Sequence, residues 1–154
     1  MLDRIQRFFN ERIAVAAADA GDDDGGRLRV ATCALLLEIA HADREFSAQE
    51  RETVVGIVGS RFGLAARDAA DLIALADEER READGLYPFA KLINDQYPRP
   101  RKLAVVDLLW RVVYSDGVLE AHEDALMHRI GKLLGLRHEE LIAVKVRVKR
   151  SLSA

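Results

Sequence analysis

Apolar positions recur at helical spacing along nearly the whole chain, and no stretch alternates with period two between hairpin-type turns. The pattern predicts an all-α fold. A first helix over Leu2 to Ala18 places Leu2, Ile5, Phe8, Phe9 and Ile13 on one stripe, with Arg4, Arg7 and Glu11 turned elsewhere. It stops at "DAGDDDGG", Asp19 to Gly26, where acids and glycines make a loose linker and Asp22 to Asp24 are read as solvated. From Arg27 to about Ala42 the run "LRVATCALLLEIAHA" is apolar nearly all round, as expected of a central helix packed on several sides.

Ser47 then opens Ser-Ala-Gln-Glu, a capping box in which Ser47 and Glu50 would each satisfy a backbone N–H. The helix behind it offers Val54, Val55, Ile57 and Val58 and ends near Gly63. The next, Ala65 to Ala83, turns Leu72, Ile73, Leu75 and Ala76 inward and the charged run after Ala76 outward, until Gly85 and Pro88 break it. "YPFAKLINDQY" is a short helix opened by Pro88, and "PRP" at Pro98–Pro100 punctuates before "RKLAVVDLLWRVVYS". "EAHEDALMHRIGKLLGL" and "HEELIAVKVRVKRSL" close the chain. The expected architecture is a single-domain bundle of about eight helices, with 1–26 (helix and linker) packed onto 27–154.

Two of the helical hairpins repeat. "HADREFSAQE" and "YSDGVLEAHE" superpose with one shift of 73 residues, since 116 − 43 and 123 − 50 agree. Leu119 falls on Phe46, Ile130 on Ile57, and "IVGSRFGL" matches "IGKLLGL" with one extra residue in the first copy. A match over helix, hairpin, helix and Gly-Leu stop implies two pseudo-repeated antiparallel pairs.

The hairpins carry the candidate chemistry. Asp43 and Asp116 are placed at helix C-termini, where the macrodipole disfavours an anion by some tenths of a kcal/mol. One explanation is structural, with the aspartates capping the following helix and Glu50 and Glu123 in its favourable first turn; it fits the first copy, with Ser47, better than the second, where Glu120 takes the aligned position. The other is a divalent cation, calcium, magnesium or zinc, held by Asp116, Glu123 and Glu120, with Asp43 and Glu50 as further ligands. The spacing excludes an EF-hand, and so short a link needs ligands from both hairpins, from water or from a partner.

Composition narrows the rest. The 154 residues can bury an apolar core without disulfide or structural metal, and hydrophobic and charged shares of 49% and 32% suit a folded soluble chain. A net charge of −3 gives no global reason to expect nucleic acid, and the cations Lys145, Arg147, Lys149 and Arg150 complement the last helix dipole. They form too narrow a patch for nucleic acid and leave only peripheral lipid contact open. Cys33, the one cysteine, is read as a buried inert thiol. The absence of a signal peptide or an apolar run of membrane length leads to the expectation of a cytoplasmic protein without integral membrane segment.

The strings "LLLEIAHADREFSAQERE", "YPFAKLIND" and "LLWRVVYSDGVLEAHEDALMHRIGKLLGL" resemble the tellurite-resistance protein B (TerB)-like family over about Arg27 to Val148, with "LWRVVYSDG" the most specific. The resemblance implies an all-helical fold, divalent metal at the hairpin acids Asp43, Glu50, Asp116 and Glu123, and a role in tellurite resistance or stress response. A related domain in membrane-anchored co-chaperones implies protein–protein contact. One departure stands out: the family favours Asp-Gly at both hairpins, but Arg44 stands where Gly117 stands in the second copy, and its cation could pair with Asp43 or Glu45 in place of a metal.

No Gly-x-Ser-x-Gly, His-Glu-x-x-His or phosphate-cradling glycine loop is present, so no catalysis is expected. His41 and His122 stand near the two acid groups, while His122 and His128 fall on opposite sides of their helix. Trp110, Leu109 and Tyr114 belong to an inward face, with the indole N–H in need of an acceptor. The functional expectation is a non-catalytic sensing or interaction module that binds a protein partner or itself; its rival is a metal-independent scaffold whose hairpin acids are helix caps.

Overall fold

The apolar run that begins at Leu28 becomes the axis of the molecule. In a computed structural model, which describes residues 27–41, 47–83, 85–116 and 121–153, this run is helix α1, Arg27–Ala40. Its Leu28, Val30, Ala31, Leu35, Leu37 and Ile39 are at most 2% exposed, as is Cys33. A helix apolar on every side must be covered on every side, and α1 packs against four other helices. Each leucine so buried contributes about 2 kcal/mol to the core.

Helix α2, Ala48–Phe62, starts where expected. Ser47 is extended and its hydroxyl accepts from the Glu50 N–H at 3.1 Å. That hydroxyl also donates to Glu50 Oε1 at 3.2 Å, so Ser47 and Glu50 are linked side chain to side chain. Gly63, at φ +67°, ends the helix in a left-handed turn that glycine adopts without steric penalty. Helix α3 is Ala66–Glu82, α4 is Tyr87–Gln96, α5 is Arg99–Val113 with a 3₁₀ turn Tyr114–Asp116, α6 is Ala121–Leu133 and α7 is His138–Ser153. There are thus seven α-helices and no strand among the described residues. The expected helix Leu2 to Ala18 and the linker Asp19 to Gly26 lie outside them.

The charged end of α3 corrects one expectation. Leu72, Ile73, Leu75 and Ala76 are buried as read, but so is Glu79, at 0% exposure. Its position explains this: Glu79 follows Ala76 by three residues and Leu75 by four, so it continues the inward stripe. Asp77 and Arg80 are also largely covered, with Arg80 bonding Asp77 at 2.9 Å and reaching Glu38 of α1 at 3.1 Å.

The repeat extends further than the hairpins. Ala40 and Val113, which end α1 and α5, and Ala48 and Ala121, which begin α2 and α6, are each 73 residues apart. Ala66 and His138, which begin α3 and α7, are 72 apart, consistent with the one extra residue in the first copy. Packing repeats as well: α1 lies on α3 as α5 lies on α7, and α2 on α3 as α6 on α7. The unit is therefore three helices, and α4 joins the copies. Trp110 is fully buried on α5, and its indole N–H donates to the Leu141 carbonyl of α7 at 3.2 Å. No helix among the described residues is long and apolar enough to cross a membrane.

Candidate functional site

The first hairpin leaves α1 at His41, whose ring Nδ1 lies 2.8 Å from the Leu37 carbonyl. Asp43 lies outside the described residues, as does Arg44. Glu50 is exposed and engaged with Ser47 in the cap described above. At this end the capping explanation is the one with visible geometry.

The second hairpin differs. The chain leaves α5 through the 3₁₀ turn that Asp116 closes, and Ser115 Oγ donates to the Val112 carbonyl at 2.7 Å, which tightens that helix end. Glu120 lies outside the described residues. Glu123, in the first turn of α6, is only 7% exposed. A carboxylate so enclosed is costly unless its charge is compensated, whereas its counterpart Glu50 is solvated. Among the described residues no three His, Cys, Asp or Glu side chains converge as a metal-binding group. Of the five acids singled out in the sequence, Glu50 and Glu123 are thus placed by their side chains and Asp116 by its backbone.

The histidines find other surroundings. His128 approaches Asp124 at 3.6 Å and stacks on His138 with centroids 5.2 Å apart, while His122 is exposed. Two cations of the last helix also turn inward. Lys145 reaches Asp124 at 3.4 Å and lies 5.3 Å over the Trp110 ring, and Arg147 reaches Asp107 at 3.2 Å.

Asp107 is the main site feature that periodicity passed over. It is 7% exposed on α5 and joins three helices through arginines. Arg61 of α2 donates to its Oδ1 at 2.8 Å and Arg111 of α5 to the same oxygen at 2.7 Å, while Arg147 of α7 donates to Oδ2. Burial pushes the Asp107 carboxyl up, but hydrogen bonds from Arg111 and Arg147 and the charge of Arg61 outweigh it and hold the group below the usual carboxylate range. One signal was local: a single acid in "AVVDLLW" followed by arginine four residues on.

A groove of about 710 Å³ opens beside this junction, lined by Gly56 and Ile57 of α2, Arg111 and Ser115 at the end of α5, and Leu152 of α7. Leu152 is 51% exposed, one of the few large apolar side chains left in solvent. Because Ser115 precedes Asp116, the groove ends at the second hairpin.

No curated protein and no solved structure matches the chain. A family model, that of the tellurite resistance protein TerB, matches residues 29–146, from α1 into α7 and through both repeats. With well over half of its length matched, this all-helical chain belongs to the TerB family.

Proposed function

We propose that this protein is a non-catalytic sensing and interaction module of tellurite resistance or a wider stress response, in which a divalent cation at the second hairpin sets the shape of a partner-binding groove. Asp116, Glu120 and Glu123 supply the oxygens, and Asp43 and Glu50 of the first hairpin are secondary. The observation that carries this reading is Glu123, enclosed at 7% exposure where its repeat counterpart is solvated. An all-oxygen donor set favours calcium or magnesium over zinc. Neutralising the acids would hold the start of α6 against the end of α5, and with it Ser115 at the rim of the groove. The exposed Leu152 and the neighbouring Ile57 give that groove an apolar contact for a protein partner or a second copy.

Calorimetric titration of chelator-treated protein with calcium, magnesium and zinc tests the reading. Saturable binding of calcium or magnesium, lost in Asp116→Ala, is the expected result; flat titrations, or binding unchanged in the variant, overturn it. The Ser47–Glu50 cap favours a second reading, a metal-independent scaffold in which both sets of acids serve the helix starts. That reading expects the melting temperature to be the same with calcium as with chelator.

A further inference from the structure

A separate cavity of about 200 Å³ lies between α1, α2 and the start of α5, lined chiefly by Arg29, Thr32, Arg61, Phe62, Tyr97 and Arg101. Three guanidinium groups thus meet in one small volume, and no acid lines it among the described residues. Each cation is positioned by a contact of its own. The Arg29 guanidinium lies 5.1 Å from the Phe62 ring centroid and that of Arg101 5.7 Å from the Tyr97 centroid. Arg61 is held by its 2.8 Å bond to Asp107. Stacking engages the face of a guanidinium and leaves its N–H edge for in-plane acceptors. Thr32, 3% exposed, adds a hydroxyl that donates to the Leu28 carbonyl at 2.8 Å, so its lone pairs rather than its proton face other groups.

The start of α5 points the same way. Pro98 is its N-cap, Arg99, Arg101 and Lys102 fill the first turn, and no acid is there. Cations at the positive end of a helix dipole are unfavourable, and an anion beside them would reverse the sign of the interaction. A group with three or more acceptor oxygens and up to two negative charges matches three arginine forks better than a single carboxylate does.

We infer that this cavity binds a phosphate group, either the free ion or the head of a small phosphomonoester. The site is distinct from the second hairpin, so phosphate binding persists in Asp116→Ala.

The test uses the full chain at fixed ionic strength, with calorimetry and ³¹P NMR, and with inorganic phosphate, phenyl phosphate and benzoate as probes. Both phosphates are expected to saturate one site, with benzoate far weaker. The double variant Arg29→Gln/Arg101→Gln weakens binding by about tenfold or more. Arg147→Gln, which touches Asp107 without lining the cavity, binds as the unaltered protein does. Tighter binding of phenyl phosphate identifies a phosphomonoester as the occupant, and equal affinity identifies the free ion. Absence of saturation with both phosphates, benzoate binding as tightly as phosphate, or unchanged affinity in the double variant overturns the inference. Should the double variant fail to melt cooperatively, the two single variants decide, and undiminished binding in both of them overturns it equally.

Discussion

Glu50 and Glu123 occupy the same place in the two repeats, yet one is solvated and tied to a serine while the other is enclosed at 7% exposure. The helices around them differ in the same sense. α1 is apolar on every side because four helices cover it, whereas α5 carries Asp107 and receives arginines from α2 and α7. Both repeats join their first and third helices by an ion pair, Glu38 with Arg80 in the first and Asp107 with Arg147 in the second, but at non-equivalent positions. The duplicated backbone is retained while the polar content is redistributed: the first repeat supplies the packing axis and the second supplies most of the buried charge.

If the repeats share one core, damage to either must be felt in both, and this produces the largest expected effects. Trp110 and Leu37 are 73 residues apart at equivalent places on α5 and α1, and both are fully buried. Trp110→Ala is expected to cost about 4 kcal/mol and Leu37→Ala about 3 kcal/mol. The only tryptophan lies in the second repeat, so its fluorescence reports unfolding there while circular dichroism reports every helix. In Leu37→Ala the two denaturation curves should shift together; separate midpoints would mean that the repeats unfold as two units.

The ion pairs are expected to differ more than the cores. Removing the Asp107 carboxylate leaves three arginines facing one another, so Asp107→Ala should cost about 2 kcal/mol. Glu38→Ala removes a more exposed partner and should cost less than about 1 kcal/mol. Acid sharpens the contrast. Because the Asp107 carboxyl is held below its ordinary 3.8 in the folded protein, its contribution is present above that value and is lost as pH falls below it. Denaturant titrations between neutral pH and pH 3 should therefore show Asp107→Asn losing less stability on acidification than the unaltered protein. Equal losses would remove Asp107 from the acid response.

Much of this contrast could be read along the chain where its cause is local. The α1 axis, the Ser47 cap, the glycine stops and the helix boundaries at the hairpins all depend on neighbours within a turn or two, and all stand where the spacing puts them. Glu79 was misplaced because a run of charges hides the position at which the inward stripe continues. The Asp107 cluster was invisible for another reason: Arg61 and Arg147 come from 46 and 40 residues away, and no periodicity encodes a contact at that range. The repeat itself was legible, but only over the helices bearing the matched strings. The third helix of each copy, with dissimilar residues, shows its kinship through packing alone.

That packing provides the smallest and most exacting test. Gly59 and Gly131 are 72 residues apart, and each allows the second helix of its repeat to approach the third. A Cβ at Gly59 would meet the Leu64 carbonyl oxygen at 3.2 Å and Ala69 Cβ at 3.4 Å. A Cβ at Gly131 would meet Leu141 Cδ2, also at 3.2 Å. The distances agree, but the obstacles do not: a backbone carbonyl inside the Gly-Leu stop, which accepts no side-chain rotation, against the end of a leucine that can turn. Replacing a helical glycine by alanine otherwise gains about 1 kcal/mol. Gly131→Ala should therefore lie within about 0.5 kcal/mol of the unaltered protein, the helix gain offsetting a small repacking of Leu141. Gly59→Ala should be destabilised by about 1 kcal/mol, because overpacking against a fixed backbone exceeds the gain. Denaturant midpoints of the two variants decide the matter, and if Gly59→Ala proves as stable as Gly131→Ala, the first repeat is packed no more rigidly than the second.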